Sequence, residues 1–120
     1  MAPGRDESCP YKTVPTNFIL ILTTGADKAE AERIAQLLVE SKAAACVNII
    51  DQITSIYRWQ GKVERAAECV LLIKTRRELA SAVEKLIKEA SSYECPEVVV
   101  IPIESGSPQY LTWLSESTNP

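Results

Sequence analysis

ACVNIIDQITSIYRW (45–59), QG (60–61) and KVERAAECVLLIKT (62–75) form the stretch whose reading decides the fold. Both long runs are rich in Ile, Val, Leu, Thr and aromatic side chains, the types that fit a pleated, half-buried surface. Gln60-Gly61 between them supplies a hairpin turn. Each arm of about fourteen residues, at about 3.3 Å per residue, is roughly 45 Å long, whereas ordinary strands run to about 5–6 residues. A compact domain of this size has a radius of gyration near 13 Å and is only about 33 Å across. The ribbon therefore overhangs its own domain, and its far end carries Ile56, Tyr57 and Trp59. Two arrangements keep those side chains from water. Either the tip packs on another subunit, or a bulge near Asp51-Gln52 bends the ribbon back over its own core.

Working outward, NFILILTT (17–24) is a nearly continuous apolar run, as in a strand covered on both faces. Gly25 breaks it. Asp27 and Glu30 then make a capping-box pair, and Ala31, Ile34, Ala35 and Leu38 recur at helical spacing up to about Lys42. After the ribbon, Thr75 and Glu78 repeat the capping-box pattern. Leu79, Ala82, Val83, Leu86, Ile87 and Ala90 fit one helix face. EVVVIPI (97–103) reads as a strand, and Pro102, which has no N–H to donate, places it at a sheet edge. Ser107 is an N-cap and Pro108 a first helical residue, opening a short helix with Tyr110, Trp113 and Leu114 on one face.

The order strand, helix, two long strands, helix, strand predicts an α+β, ferredoxin-like βαββαβ sandwich with a long hairpin and a short C-terminal helix. Residues 17–120 form that domain, and 1–16, with Pro3, Gly4, Pro10 and Pro15, read as a flexible tail. Both helices cover one sheet face. Apolar residues at consecutive positions of the first and last strands leave the other face in need of a partner, so the chain is expected to oligomerise.

With a net charge of -3, the chain lacks the basic surface a nucleic-acid binder needs. RNA-recognition modules share the topology, but they stack bases on aromatics of the central strands. Here those strands are aliphatic apart from Phe18. No apolar run is long enough for a membrane span, and the N-terminal segment lacks a signal-peptide core. Four cysteines, 9, 46, 69 and 95, form no CxxC pair. A cytoplasmic, reducing location is the expectation. Histidine is absent, which removes Ser-His and Cys-His catalysis. With no GxGxxG or P-loop either, the chain is read as non-enzymatic with no required cofactor.

Ala44-Ala-Cys46-Val-Asn48, Ser55-Ile-Tyr57-Arg-Trp59-Gln-Gly61-Lys62, Glu68 before Leu71-Leu-Ile-Lys74-Thr75, Tyr93-Glu-Cys-Pro96-Glu97 and Tyr110-Leu-x-Trp113-Leu occur in one order. Over about 17–116 this pattern resembles the CutA family of divalent-cation tolerance proteins. The resemblance implies a tight homotrimer in which the hairpin arms join neighbours, architecture like the PII signalling trimers, and a link to copper and other divalent cations. Where the family carries His before Tyr-x-x-Pro-Glu, this chain has Ser91-Ser92. Where some members carry Cys at the end of the first strand, it has Thr23. Neither suits copper, which favours imidazole and sulfur. Glu68 is the remaining ligand of that cluster.

The metal candidates are thus Glu68, Cys46 and Cys95, with copper or another divalent cation held weakly. Set against them, and preferred, are the plainer readings: Cys46 and Cys69 within apolar strands as small buried hydrophobes, and Glu68 as half of a structural salt bridge. Cys9 is accessible in the tail. Ile56, Tyr57 and Trp59 are candidate trimer anchors. Lys74, Tyr93, Tyr110 and Trp113 are candidates for a cleft between subunits, for a small anionic ligand or a protein partner. Three functions follow: a metal-tolerance trimer, a PII-like signalling or binding module, and a structural scaffold.

Overall fold

A computed structural model describes residues 16–120. The N-terminal arm and Cys9 lie outside the described residues. The elements are β1 (Phe18–Gly25), α1 (Lys28–Glu40), β2 (Cys46–Trp59), β3 (Lys62–Arg76), α2 (Ala80–Ala90), β4 (Val99–Pro102) and α3 (Pro108–Ser117). One antiparallel sheet has the order β2-β3-β1-β4, the ferredoxin-like arrangement. β4 lies at an edge with Pro102 opposite Ile19, so the proline removes no ladder donor. The strand is shorter than its apolar run: it starts at Val99, not Glu97.

Strand alternation assigns the faces. Ile19 and Ile21 of β1 and Cys69, Leu71 and Ile73 of β3 point to the helices. There they pack with Ala31, Ile34 and Leu38 of α1 and Val83 and Ile87 of α2, all buried. α1 begins as expected: the Asp27 carboxylate accepts from the Glu30 N–H at 2.8 Å. The pair at Thr75 and Glu78 corrects the expectation of a second capping box. Thr75 is still in β3, and its hydroxyl donates to the Ala43 carbonyl at 2.6 Å. Glu78 accepts from the Asn17 amide at 2.6 Å. A short 3-10 turn, Arg77–Leu79, comes between, and α2 starts without a side-chain cap. Thr75 is fully buried where the chain leaves the sheet, and a buried hydroxyl takes the nearest free carbonyl in preference to a solvent-side cap.

The other face is less covered. Ser107 caps α3, accepting from the Tyr110 N–H at 3.3 Å, with Pro108 in the first turn. Leu114 is buried, and the Arg76 guanidinium clasps Thr118, donating to its hydroxyl at 2.8 Å and its carbonyl at 2.9 Å. Ile50, Val99 and Ile101 remain exposed.

The ribbon is as long as its composition demands. Its arms pair from Cys46↔Lys74 to Trp59↔Lys62. Gln60 and Gly61 both have positive φ, 51° and 81°, as a type I′ turn requires. A register shift falls between Ile50 and Ile53, with Gln52 at φ 57°. So the bulge exists, but it does not fold the tip onto its own core. Ile56 is 59% exposed, Tyr57 44%, Trp59 49% and Val63 64%. The bulge only skips a residue, and pairing resumes at once beyond it. The radius of gyration is 16.8 Å and the longest dimension 53 Å, well beyond a compact domain of this length.

One core atom lacks a partner among the described residues, the Thr23 hydroxyl on the helix-covered face. A buried, unsatisfied hydroxyl costs about 1–3 kcal/mol, whereas a methyl in its place is compatible with the apolar surroundings. Thr23→Val should therefore stabilise the fold by about 1 kcal/mol, read as a higher denaturant midpoint with an unchanged slope.

Candidate functional site

Sheet geometry separates the candidate residues into two groups. Lys74 and Glu68 lie six positions apart on β3, roughly 20 Å at the rise of a strand. At the Lys74 end, its ammonium sits 5.6 Å from the centre of the Tyr110 ring, a cation–π contact. Tyr110 and Trp113 pack with centroids 5.4 Å apart, tilted by 38°. Cys46 stands opposite Lys74 in the ladder, half-buried at this end.

At the other end, a cleft of about 610 Å³ lies between the hairpin and residues 93–97. Thr24, Ser55, Ile56, Tyr57, Trp59, Ala66, Glu68, Tyr93, Glu94, Cys95 and Glu97 line it. The Tyr93 hydroxyl donates to Glu68 Oε2 at 2.6 Å. Burial first, and then this bond to a carboxylate, pushes the phenol well above its ordinary range. Tyr93 thus remains a proton donor to Glu68 throughout the neutral range. The segment carrying it is fixed from below. Tyr93 N–H donates to Ser91 Oγ at 3.0 Å, and Ser92 N–H to Glu30 Oε1 at 3.1 Å.

The single-chain cleft therefore holds Tyr93 but not Lys74, Tyr110 or Trp113. Of the metal candidates, it joins Glu68 with Cys95 and leaves Cys46 at the far end. Among the described residues, no three His, Cys, Asp or Glu side chains come together as a metal-holding group. Cys69 is occupied otherwise: its thiol, fully buried, donates to Asp51 Oδ1 at 3.0 Å across the bulge. That bond, with burial, pushes the thiol up from its ordinary value, and the same bond holds Asp51 low. A protonated, buried thiol is a poor metal ligand.

Glu94 and Glu97, which line the cleft, and Glu30, which tethers its 93–97 wall through Ser92, are side chains that reading the sequence for sites passed over. Glu94 and Glu97 flank Cys95-Pro96 in a quoted motif, but nothing in their spacing shows that they face the same space as Glu68. Glu30 shows itself as a cap, not as the anchor of a loop 62 residues away.

The chain is a ferredoxin-like βαββαβ sandwich whose hairpin outruns its core, with a carboxylate–phenol pair, Glu68 and Tyr93, beside the bulge. The family model described as CutA1 divalent ion tolerance protein matches residues 19–117, and the chain belongs to the CutA1 family. It is 50% identical over 109 residues to the CutA homolog of Xenopus laevis, covering 91% of this chain and 65% of that one. It is 42% identical to the divalent-cation tolerance protein CutA of Thermus thermophilus, covering 82% of this chain and 96% of that one. The crystal structure of CutA from Xylella fastidiosa superposes with a TM-score of 0.85 at 36% identity, covering 87% of this chain and all of that one. The chain spans 58% of the Arabidopsis thaliana chloroplastic relative and 70% of the mouse one.

Proposed function

We propose that the chain works as a homotrimeric divalent-cation tolerance protein with no catalytic activity of its own, in a reducing compartment such as the cytoplasm. The observation that carries it is the hairpin tip. Ile56 and Val63 are exposed on one face of the ribbon, and Tyr57 and Trp59 on the other. Two apolar faces on a projecting ribbon call for neighbours on both sides, which a closed ring of copies supplies. Family membership supports the cation association. Copper contact would be weak. Glu68 and Cys95 share a cleft, but there is no imidazole, and the residues present do not make the multidentate nitrogen and sulfur set that copper prefers.

Titration calorimetry with Cu²⁺ and Zn²⁺ tests the cation part. The expected result is saturable binding weaker than about 1 µM, lost in a Glu68→Ala, Cys95→Ser variant. Heat that is absent, or the same in that variant, removes the metal from this site. A second reading, a PII-like module that responds to a small ligand, is favoured by the size of the cleft.

A further inference from the structure

We infer that the bulge between Ile50 and Ile53 is the hinge of the hairpin arm, and that the hydrogen bond from Cys69 to Asp51 is the latch that holds the arm in line with the sheet. Two ladders end at the same place. β3 is paired with β1 only as far as Gly25↔Cys69, so from Glu68 outward it has β2 alone beside it. The β2–β3 ladder is itself broken there, between Ile50 and Ile53. Gln52, inside the break, has φ 57°, a region that residues with a Cβ seldom adopt. A single oxygen spans the gap. Asp51 Oδ1 accepts the Gln52 N–H at 2.8 Å and the Cys69 thiol at 3.0 Å.

Neither side chain needs the other on its own account. Asp51 is exposed, and water would satisfy its carboxylate. Cys69 is fully buried in the core cluster, where a thiol packs as a small hydrophobe. The bond matters for what it ties together: the last β3 residue paired with β1, and the β2 residue at which the arm departs. Its acceptor is charged. That bond first, then the Gln52 N–H and the nearby Lys28, hold the Asp51 carboxyl below its ordinary value, and an ionised acceptor strengthens a hydrogen bond. Beyond the hinge little else fixes the arm. Ile56, Tyr57, Trp59 and Val63 are exposed, and a two-stranded ribbon is marginal by itself. A latched arm presents those side chains to a neighbour in one direction. An unlatched arm must be ordered before it joins, which weakens association. That consequence rests on the trimer proposed above, whereas the latch does not.

Amide hydrogen exchange along the ribbon tests the latch. In Asp51→Ala, and in Cys69→Val, which fills the same space without a donor, residues 53–67 should exchange about tenfold faster than in the wild type, the factor for losing one charge-assisted hydrogen bond. Residues 19–24 of β1 should keep their wild-type protection. Cys69→Ser, whose hydroxyl still donates to Asp51, should leave the ribbon as slow as in the wild type. Unchanged ribbon exchange in both loss variants overturns the inference, as does Cys69→Ser behaving like Cys69→Val. Equal acceleration of residues 19–24 also overturns it, by making the bond an ordinary core contact. Light scattering on dilution of the same samples reads the assembly separately, and both loss variants should dissociate at a higher protomer concentration than the wild type. A wild-type chain that is monomeric ends the trimer reading, while the exchange pattern still decides the latch.

Discussion

Cutting the hairpin at its bulge should turn the proposed trimer into a monomer. Ile53 and Glu68 face each other in the ladder, so an Asn-Gly pair can join them as a two-residue turn while the proximal strands keep their register. The excised segment, 54–67, carries Ile56, Tyr57, Trp59 and Val63, none of them part of the chain's own core cluster. Its removal therefore costs the protomer little and the assembly a great deal. A Trp or Tyr anchor at an interface contributes about 2 kcal/mol or more, and a ring of three loses each anchor three times. Trp59→Ala alone should thus weaken trimer association by about 6 kcal/mol. Light scattering at micromolar concentration decides it: a trimer for the full chain and a folded monomer for the shortened one. A trimer that survives the excision would mean that the exposed sheet face, with Ile50, Val99 and Ile101, does the joining. A full chain that is itself monomeric would remove the trimer altogether.

Much of this was legible because strands and caps obey local rules. The ribbon's length is a count of β-favouring residues between two helical periodicities. Pro102 can stand only where a ladder donor is dispensable, and Ser107-Pro108 fits one position in a helix. Thr75 and Glu78 misled because a capping-box spacing says nothing about burial: Thr75 sits inside the sheet–helix junction and bonds to Ala43 instead. The candidate site was less legible for the same kind of reason. Lys74 and Glu68 share strand parity, and hence a sheet face, but the distance along the strand divides what residue type alone would group. Glu94 and Glu97 join Glu68 only through the path of the 93–97 segment, which no periodicity encodes. The bulge was legible in place but not in effect. Asp51 accepts the Cys69 thiol and the Gln52 N–H there, closing the irregularity locally without redirecting the ribbon.

Glu30→Ala should destabilise the protein by about 3 kcal/mol, more than its position in the first turn of a surface helix would lead one to expect. The side chain is 5% exposed. One carboxylate oxygen accepts the Ala26 N–H at 3.1 Å, just before the helix, and the other accepts the Ser92 N–H at 3.1 Å, just after the last turn of α2. Alanine leaves both donors without partners and takes a negative charge from a helix N-terminus, where it complements the macrodipole. Glu30→Gln keeps an acceptor oxygen for one of the two donors, so it should cost about 1–2 kcal/mol. The two variants differ most in what happens beyond Ser92. That residue's tether fixes the start of the segment bearing Tyr93, Glu94 and Glu97, so in Glu30→Ala the Tyr93–Glu68 contact should loosen as well. Denaturation at a fixed protomer concentration, needed because the proposed assembly would add its own mass-action term, gives the stabilities. Trp59 emission in the Trp113→Phe background reports the cleft. A small loss shared equally by Ala and Gln would reduce Glu30 to an ordinary cap. A large loss in Ala with altered Trp59 emission would make it the residue through which the helical layer holds one wall of the cleft in place.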